Sequence, residues 1–210
     1  MMHMNLSLPV TGVILAGGRA TRMGGQDKGL IELAGQPLIT YVIARLKYQV
    51  QALLISANRH QHLYAQLGQC PVLADTMGHY EGPLAGMLTT LVHAQTDYVV
   101  FVPCDCPLFS SQLVTRLYHA LMDAQADISV AHDGYRLHPV VALLKRSLHL
   151  DLRQFLQQTS ERKLQLWYQR HHFIEVDYSD MPDSLVNINT PGDLVTVADT
   201  LRANQDIVLE

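Results

Sequence analysis

The chain has 210 residues, of which 48% are hydrophobic and 16% are charged, and its formal net charge is −4. This composition excludes a disordered chain and a surface whose main task is to bind nucleic acid. The three cysteines lack disulfide-framework spacing, and no apolar run is long enough to cross a membrane. The first ten residues contain no Lys or Arg, so we expect a cytoplasmic protein without a membrane partner.

Short apolar runs rich in β-branched residues alternate with helical patterns along the chain. Six runs have the composition of strands: 12–16, 52–56, 98–102, 128–131, 139–143 and 173–176. Helices are predicted over 39–46, 113–124 and 191–203, the last with Thr190 and Asp193 as a capping box. The alternation predicts one α/β domain over residues 1–210, in which a mostly parallel sheet is covered by helices on both faces.

Polar residues follow three of the predicted strands at the point where each strand ends. Gly17, Asn58 and Asp105 come shortly after the first, second and third of them. Ligands of such sheets bind outside the carboxyl ends of the strands, so we expect these residues to line a common crevice.

The most informative segment is 15–28, Leu-Ala-Gly-Gly-Arg-Ala-Thr-Arg-Met-Gly-Gly-Gln-Asp-Lys. Its glycines allow backbone N–H groups to converge on an anion, and Arg19, Arg22 and Lys28 supply charge for a polyphosphate. It is not a P-loop, because Lys28 lies between Asp27 and Gly29, and it lacks the G-x-G-x-x-G spacing. A flexible turn with solvated arginines is the alternative. The position after a strand and the three cations favour phosphate binding.

Asp105 follows the most hydrophobic of the predicted strands. Mg²⁺ often takes only one or two protein carboxylates and completes its shell with water and phosphates, so a single Asp is sufficient. A carboxylate that caps the next turn is the alternative interpretation. Zinc is not expected at Cys104 and Cys106, because no second cysteine pair completes a site; both are expected to be small buried residues.

The loop pattern Leu-x-Gly-Gly-x-x-x-Arg-Met-Gly-Gly-x-Asp-Lys resembles the signature of the molybdenum cofactor guanylyltransferases, nucleotidyltransferases with a Rossmann-like fold similar to nucleotide-diphospho-sugar transferases. The resemblance continues through Ser-Ala-Asn-Arg-His at 56–60, Gly-Pro-Leu-Ala-Gly-Met at 82–87, Pro-Cys-Asp at 103–105, Leu-His-Pro at 137–139 and Val-Asn-Ile-Asn-Thr-Pro at 186–191. It implies transfer of GMP from GTP to molybdenum-molybdopterin cofactor, with release of pyrophosphate and with Mg²⁺, or alternatively Mn²⁺, as the metal.

The resemblance also implies site residues. Its nucleotide-binding positions correspond to Leu15, Ala16, Gly17, Gly18, Lys28, Asn58, Asp75 and Asp105. Lys28 and Arg22 are expected to offset phosphate charge, and Asp105 to bind the metal. Local turn hydrogen bonds explain Asn58 and Asp75 equally well when each is taken alone.

The C-terminal half is expected to contribute the molybdopterin side and the N-terminal half the GTP side. The tentative acceptor-side residues are Arg136, His138, Asn187 and Asn189. Asn187 and Asn189 either help to hold metal or cofactor or shape the turn before the last helix.

Three other functions remain open at this point. A cytidylyltransferase for the same cofactor is the nearest, although Leu-Ala-Gly-Gly resembles the guanylyl pattern more than the Leu-Ala-Ala-Gly of cytidylyl relatives. A sugar-1-phosphate nucleotidyltransferase is the second, and a non-catalytic molybdopterin carrier is the third. The chain is expected to act as a monomer, with an accessory GTPase and apo-molybdoenzymes as the partners to consider.

Overall fold

The computed structural model describes residues 8–17, 25–75 and 82–206. Its strands are β1 (Leu8–Leu15), β2 (Glu32–Leu33), β3 (Gln36–Pro37), β4 (Val50–Ser56), β5 (Val72–Leu73), β6 (Tyr98–Pro103), β7 (Ile128–His132), β8 (Leu137–Lys145) and β9 (Phe173–Asp177). Seven of them form one sheet in the order β5-β4-β1-β6-β8-β7-β9, and β2 pairs with β3 separately. Only β8 runs antiparallel to its neighbours in the large sheet. The mostly parallel sheet is confirmed.

Helices cover both faces of this sheet. They are α1 (Leu38–Leu46), α2 (Gln61–Gly68), α3 (Pro83–His93), α4 (Leu113–Asp123), α5 (His149–Gln158), α6 (Leu164–Tyr168) and α7 (Pro191–Asp206). Residues of α1, α2 and α4 pack around Val10 and Ile14 of β1, whereas residues of α3, α5 and α6 pack around Val13. Alternate residues of β1 therefore face opposite cores, as the period of a strand requires. In the part of the chain that is described, no helix has the length and apolarity needed to cross a membrane.

The structure contains elements that the sequence patterns did not predict. Among them are the β2–β3 ribbon, the two-residue strand β5 and helices α2, α5 and α6. The ribbon is closed by Ala34 and Gly35 at φ values of 48° and 81°, and its strands are too short to show an alternating pattern. The capping box of α7 is confirmed, because Asp193 Oδ2 accepts the backbone N–H of Thr190 while Thr190 Oγ1 accepts that of Asp193.

The register of four parallel strands aligns the polar residues at one edge. Neighbouring strands pair through a row of residues that consists of Leu73, Ser56, Leu15 and Pro103. The residues two positions C-terminal to these four are Asp75, Asn58, Gly17 and Asp105. Since adjacent strands lie about 4.8 Å apart, these four residues follow one another along the carboxyl edge of the sheet.

Candidate active site

Lys28 joins three segments that are far apart in the sequence. It begins a short 3₁₀ turn, Lys28–Leu30, and its Nζ donates to Asp105 Oδ2 and, at 2.7 Å, to Asn189 Oδ1. The backbone N–H of Ile188 donates to the carbonyl oxygen of Asp105 at 2.9 Å, which fixes the segment before α7 beside the segment after β6. The structure thus brings together a cation, a carboxylate and an amide that the sequence analysis singled out separately.

Two side-chain oxygen atoms, one after β6 and one in the segment before α7, are buried and have no hydrogen-bond partner among the described residues. They are Oδ1 of Asp105, a residue only 7% exposed, and Oδ1 of Asn187. A buried polar atom without a partner destabilises the folded state and is rare in native proteins. Carboxylate and amide oxygens are the ligands that Mg²⁺ prefers, so the residues present fit the expected metal. In the described ranges, this site included, no group of three His, Cys, Asp or Glu side chains is arranged to hold a metal ion.

Asn58 and Asp75 lie together at the ends of β4 and β5. Asn58 Nδ2 donates to Asp75 Oδ2, and the backbone N–H of Asp75 donates to Asn58 Oδ1, both at 2.8 Å. A Cβ atom added to Gly17 would lie 3.8 Å from Asn58 Nδ2, which places the start of the glycine-rich loop beside this pair. On the other side, a Cβ atom at Gly86 would lie only 2.5 Å from Ser56 Oγ and 3.4 Å from Asp75 Oδ1. Helix α3 therefore packs closely against the pair.

The backbone at the end of β1 links the two neighbouring strands. The N–H of Ala16 donates to the carbonyl of Ser56 at 2.8 Å, and the N–H of Cys104 donates to the carbonyl of Leu15 at 3.1 Å. Through these two hydrogen bonds, Leu15 and Ala16 fix the position of the segment that carries Asn58 relative to the segment that carries Asp105. Of the remaining loop residues expected to bind phosphate, Gly18, Arg19 and Arg22 lie outside the described residues.

Two of the tentative acceptor residues, Arg136 and His138, lie in the turn and strand that follow β7. His138 is 6% exposed, and its Nε2 lies 2.7 Å from Asp133 Oδ2. Asp133 Oδ1 accepts the backbone N–H groups of Tyr135 and Arg136 at 2.8 Å, while the Arg136 side chain is largely exposed. Burial alone raises the pKa of Asp133, but the hydrogen bonds from His138 and the two amides outweigh it and hold this pKa well below its usual range. The contacts that hold this turn are therefore local.

The cysteines beside Asp105 are buried free thiols. Cys104 is 4% exposed and Cys106 is fully buried. Burial raises the pKa of both thiols far above the ordinary value, which keeps them protonated at neutral pH. The expectation of small buried residues is confirmed for this pair.

The sequence analysis missed the partner of Asp27. Tyr64 of α2 is fully buried, and its hydroxyl donates to Asp27 Oδ1. The sequence gives no direct signal for this contact, because α2 is short and Tyr64 is the only residue of that helix that is fully buried.

Comparisons with known proteins agree with this arrangement. Residues 12–173 match the family model described as the MobA-like NTP transferase domain. A protein of Shewanella piezotolerans named molybdenum cofactor guanylyltransferase is 48% identical over 89% of this chain and 90% of its own length. A protein of Shewanella loihica with the same name is 49% identical over 89% of this chain and 94% of its own.

A solved structure shares the fold. The crystal structure of molybdopterin-guanine dinucleotide biosynthesis protein A from Archaeoglobus fulgidus matches 92% of this chain and 99% of its own, with a TM-score of 0.75 and 21% identity. This likeness concerns the fold alone, whereas the identities to the Shewanella proteins concern the family. The chain belongs to the MobA-like NTP transferases and, among these nucleotidyltransferases, to the molybdenum cofactor guanylyltransferase family.

Proposed function

We propose that this protein transfers GMP from GTP to the terminal phosphate of molybdenum-molybdopterin cofactor, forming the guanine dinucleotide cofactor and pyrophosphate. Membership of the family supports this reaction. The observation that carries the proposal is the cluster of Lys28, Asp105 and Asn189, in which one oxygen of a buried carboxylate has no partner within the described part of the chain.

The row along the carboxyl edge is proposed to bind GTP. The backbone of Leu15, Ala16, Gly17 and Gly18 would approach the phosphates, because glycines permit close contact. Asn58 and Asp75 offer amide and carboxylate oxygens that can accept the N–H groups of guanine. Their mutual hydrogen bonds orient both side chains before the nucleotide arrives.

Mg²⁺, with Mn²⁺ as a substitute, is proposed to bind at Asp105. The atoms that would hold it are Asp105 Oδ1 and Asn187 Oδ1, which are both buried and find no hydrogen-bond partner in the ranges that the structure describes. When bound, such an ion offsets negative charge on phosphate oxygens. Asn189 is assigned a different task, because its side-chain oxygen already accepts a hydrogen bond from Lys28.

The chemistry needs no nucleophile from the protein. An oxygen of the acceptor phosphate attacks the α-phosphorus of GTP, the new P–O bond forms, and the bond to the departing pyrophosphate breaks. Since two anionic groups must meet, the tasks of the chain are positioning and electrostatic stabilisation. Lys28 and Arg22 are proposed to offset charge on the α-phosphate and on the leaving pyrophosphate.

The remaining proposals concern the residues that bind molybdopterin, the localisation and oligomeric state of the protein, and its partners. Arg136 and His138 are proposed to face the molybdopterin side, so that one domain over 1–210 binds GTP with its N-terminal half and molybdopterin with its C-terminal half. We further propose a cytoplasmic monomer that passes its product to apo-molybdoenzymes, with an accessory GTPase as an additional partner.

The experiment that tests the reaction supplies the purified protein with Mg²⁺, molybdenum-molybdopterin cofactor and either GTP or CTP, and measures pyrophosphate. We expect pyrophosphate and guanine dinucleotide cofactor in equal amounts with GTP, and far less product with CTP. A preference for CTP would overturn the assignment of the base. Turnover with sugar-1-phosphates in place of the cofactor would overturn the acceptor, and tight molybdopterin binding without nucleotide consumption would indicate a carrier.

A further inference from the structure

Tyr64 is a core tyrosine whose hydroxyl lies at the end of the glycine-rich loop. Its side chain is fully buried and donates to Asp27 Oδ1, and Asp27 is itself only 7% exposed. Burial raises the pKa of the Tyr64 hydroxyl, and the hydrogen bond to Asp27 raises it further. The phenol therefore remains a neutral donor at physiological pH.

The residue on the other side of Lys28 also packs against this ring. A Cβ atom at Gly29 would lie 2.6 Å from the Tyr64 hydroxyl oxygen and 3.2 Å from Cε1 of the ring. A real Cβ atom essentially never lies closer than 3.0 Å to such a neighbour, so any larger residue at position 29 would force the Tyr64 side chain to shift. Asp27 and Gly29 thus both contact Tyr64, and Lys28 lies between them.

We propose that Tyr64 is a positioning residue for Lys28, which it holds in place through Asp27 and Gly29; this inference rests on the proposed role of Lys28 in GTP binding. The lysine side chain is a flexible four-carbon stem, so its ammonium group is well placed only if both ends are fixed. Asp105 and Asn189 fix the ammonium end. Tyr64 fixes the backbone end, which lowers the entropy lost when Lys28 engages a phosphate.

Simple core packing does not account for this contact. Phenylalanine would fill nearly the same space, and burial of a carboxylate destabilises the fold unless the carboxylate is hydrogen-bonded. An apolar residue at position 27 would serve a core better. The hydroxyl–carboxylate pair instead fixes the backbone direction immediately before the lysine.

The test compares two tyrosines that each lose one buried hydroxyl. Tyr64→Phe removes the bond to Asp27, and the matched control Tyr178→Phe removes a bond of 2.9 Å to the carbonyl of Leu113. GTP affinity is measured by calorimetry, kcat and KM by pyrophosphate release, and Tm by thermal unfolding. We expect Tyr64→Phe to weaken GTP binding and raise KM roughly tenfold, because misplaced groups lose preorganisation. The GTP affinity and KM of Tyr178→Phe should stay within about twofold of the parent values. Its Tm should fall by about as much as that of Tyr64→Phe, because each variant loses one buried hydrogen bond.

A double-mutant cycle separates positioning from general damage. In a Lys28→Met background, Tyr64→Phe should cause no further loss of GTP affinity, because the group that it positions is gone. If Tyr64→Phe lowers GTP affinity equally in the parent and in the Lys28→Met background, the proposal is overturned. A Tyr64→Phe protein that binds GTP no worse than the Tyr178→Phe control would also overturn it.

Gly29→Ala provides a second variant that keeps both Tyr64 and Asp27. The added methyl group must displace the hydroxyl, so Gly29→Ala should reproduce the loss of GTP affinity. Combined with Tyr64→Phe, it should be no worse than Tyr64→Phe alone. If Tyr64→Phe does not fold, normal GTP affinity of folded Gly29→Ala overturns the inference. A parent protein that binds GTP but transfers no GMP refutes the proposed reaction, while the GTP affinities still decide the role of Tyr64.

Discussion

Two aspartates that follow strands β6 and β7 are used by the molecule in different ways. Asp105 pairs one oxygen with Lys28, from a segment 77 residues away, and its other oxygen is buried with no partner among residues 8–17, 25–75 and 82–206. Asp133 engages both oxygens within its own turn, with His138 and with the backbone N–H groups of Tyr135 and Arg136. Asp105 therefore has an oxygen free to bind a ligand and is held in place by residues from distant segments. Asp133 instead uses its oxygens to stabilise its own turn. Residue type alone does not separate them; the distribution of hydrogen bonds does.

The largest expected effect is on Asp105. Asp105→Ala should reduce GMP transfer by at least about 100-fold, because the transition state loses an electrostatic contact in a buried site. Asp133→Ala, the matched change in the other region, should retain GTP affinity within about twofold. Both are checked by pyrophosphate release and calorimetry, with circular dichroism to establish folding. A folded Asp105→Ala protein with normal turnover would contradict the ligand role of this carboxylate.

Lys28→Met is expected to lower kcat/KM for GTP by roughly 10- to 100-fold, because charge on the departing pyrophosphate is no longer offset. The control is Lys145→Met, which breaks a bond of 2.9 Å between Lys145 Nζ and Asp127 Oδ1. Steady-state pyrophosphate assays on the two variants give the comparison. Equal losses in both would show that general destabilisation, and not the position of Lys28, is responsible.

Gly86→Ala should weaken GTP binding roughly tenfold. Its new Cβ atom would lie 2.5 Å from Ser56 Oγ and 3.4 Å from Asp75 Oδ1, so α3 or the Asn58–Asp75 pair must shift. Gly12→Ala creates a similar crowding, 3.0 Å from Leu46 Cδ2, but in the core on the helix α1 side of β1. Calorimetric titration with GTP should show normal affinity for folded Gly12→Ala. If both variants bind GTP normally, the pair is not part of the nucleotide site.

The smallest effect concerns stability and its dependence on pH. Asp133→Ala should lower the free energy of unfolding by about 1–3 kcal/mol at neutral pH, because buried His138 loses its partner. Since the pKa of Asp133 is lowered in the folded state, its contribution is present above the unfolded pKa of about 3.9 and is lost as the pH falls through the folded value. Urea unfolding between pH 3 and pH 7 should therefore show a steeper acid loss in the parent than in Asp133→Ala. Parallel curves would contradict this assignment.

The sequence predicts the sheet better than the site. Strands such as 98–102 can be predicted because a strand that is buried on both faces is a continuous apolar run. The capping box of α7 can be predicted from Thr190 and Asp193. The small ribbon closed by Ala34 and Gly35 has too few residues for any periodicity. Helix α2 buries little besides Tyr64, so its apolar pattern is weak.

The contacts within the site depend on tertiary structure. The patterns identify Lys28 and Asp105 as separate features, but their ion pair becomes visible only when β1 and β6 are placed side by side. The bond between Asp27 and Tyr64 has no local signature at all. By contrast, the Asp-Gly pair at Asp133 and Gly134 is a local turn signal that can be read from the sequence.

The most direct test of the account is calorimetric titration of GTP into the parent protein and into Asp105→Ala, each with and without Mg²⁺. The unpartnered oxygen of Asp105 predicts that Mg²⁺ strengthens GTP binding to the parent by at least about tenfold and that this gain disappears in the variant. The same Mg²⁺-dependent gain in both proteins would contradict the assignment of Asp105 as the metal-binding residue.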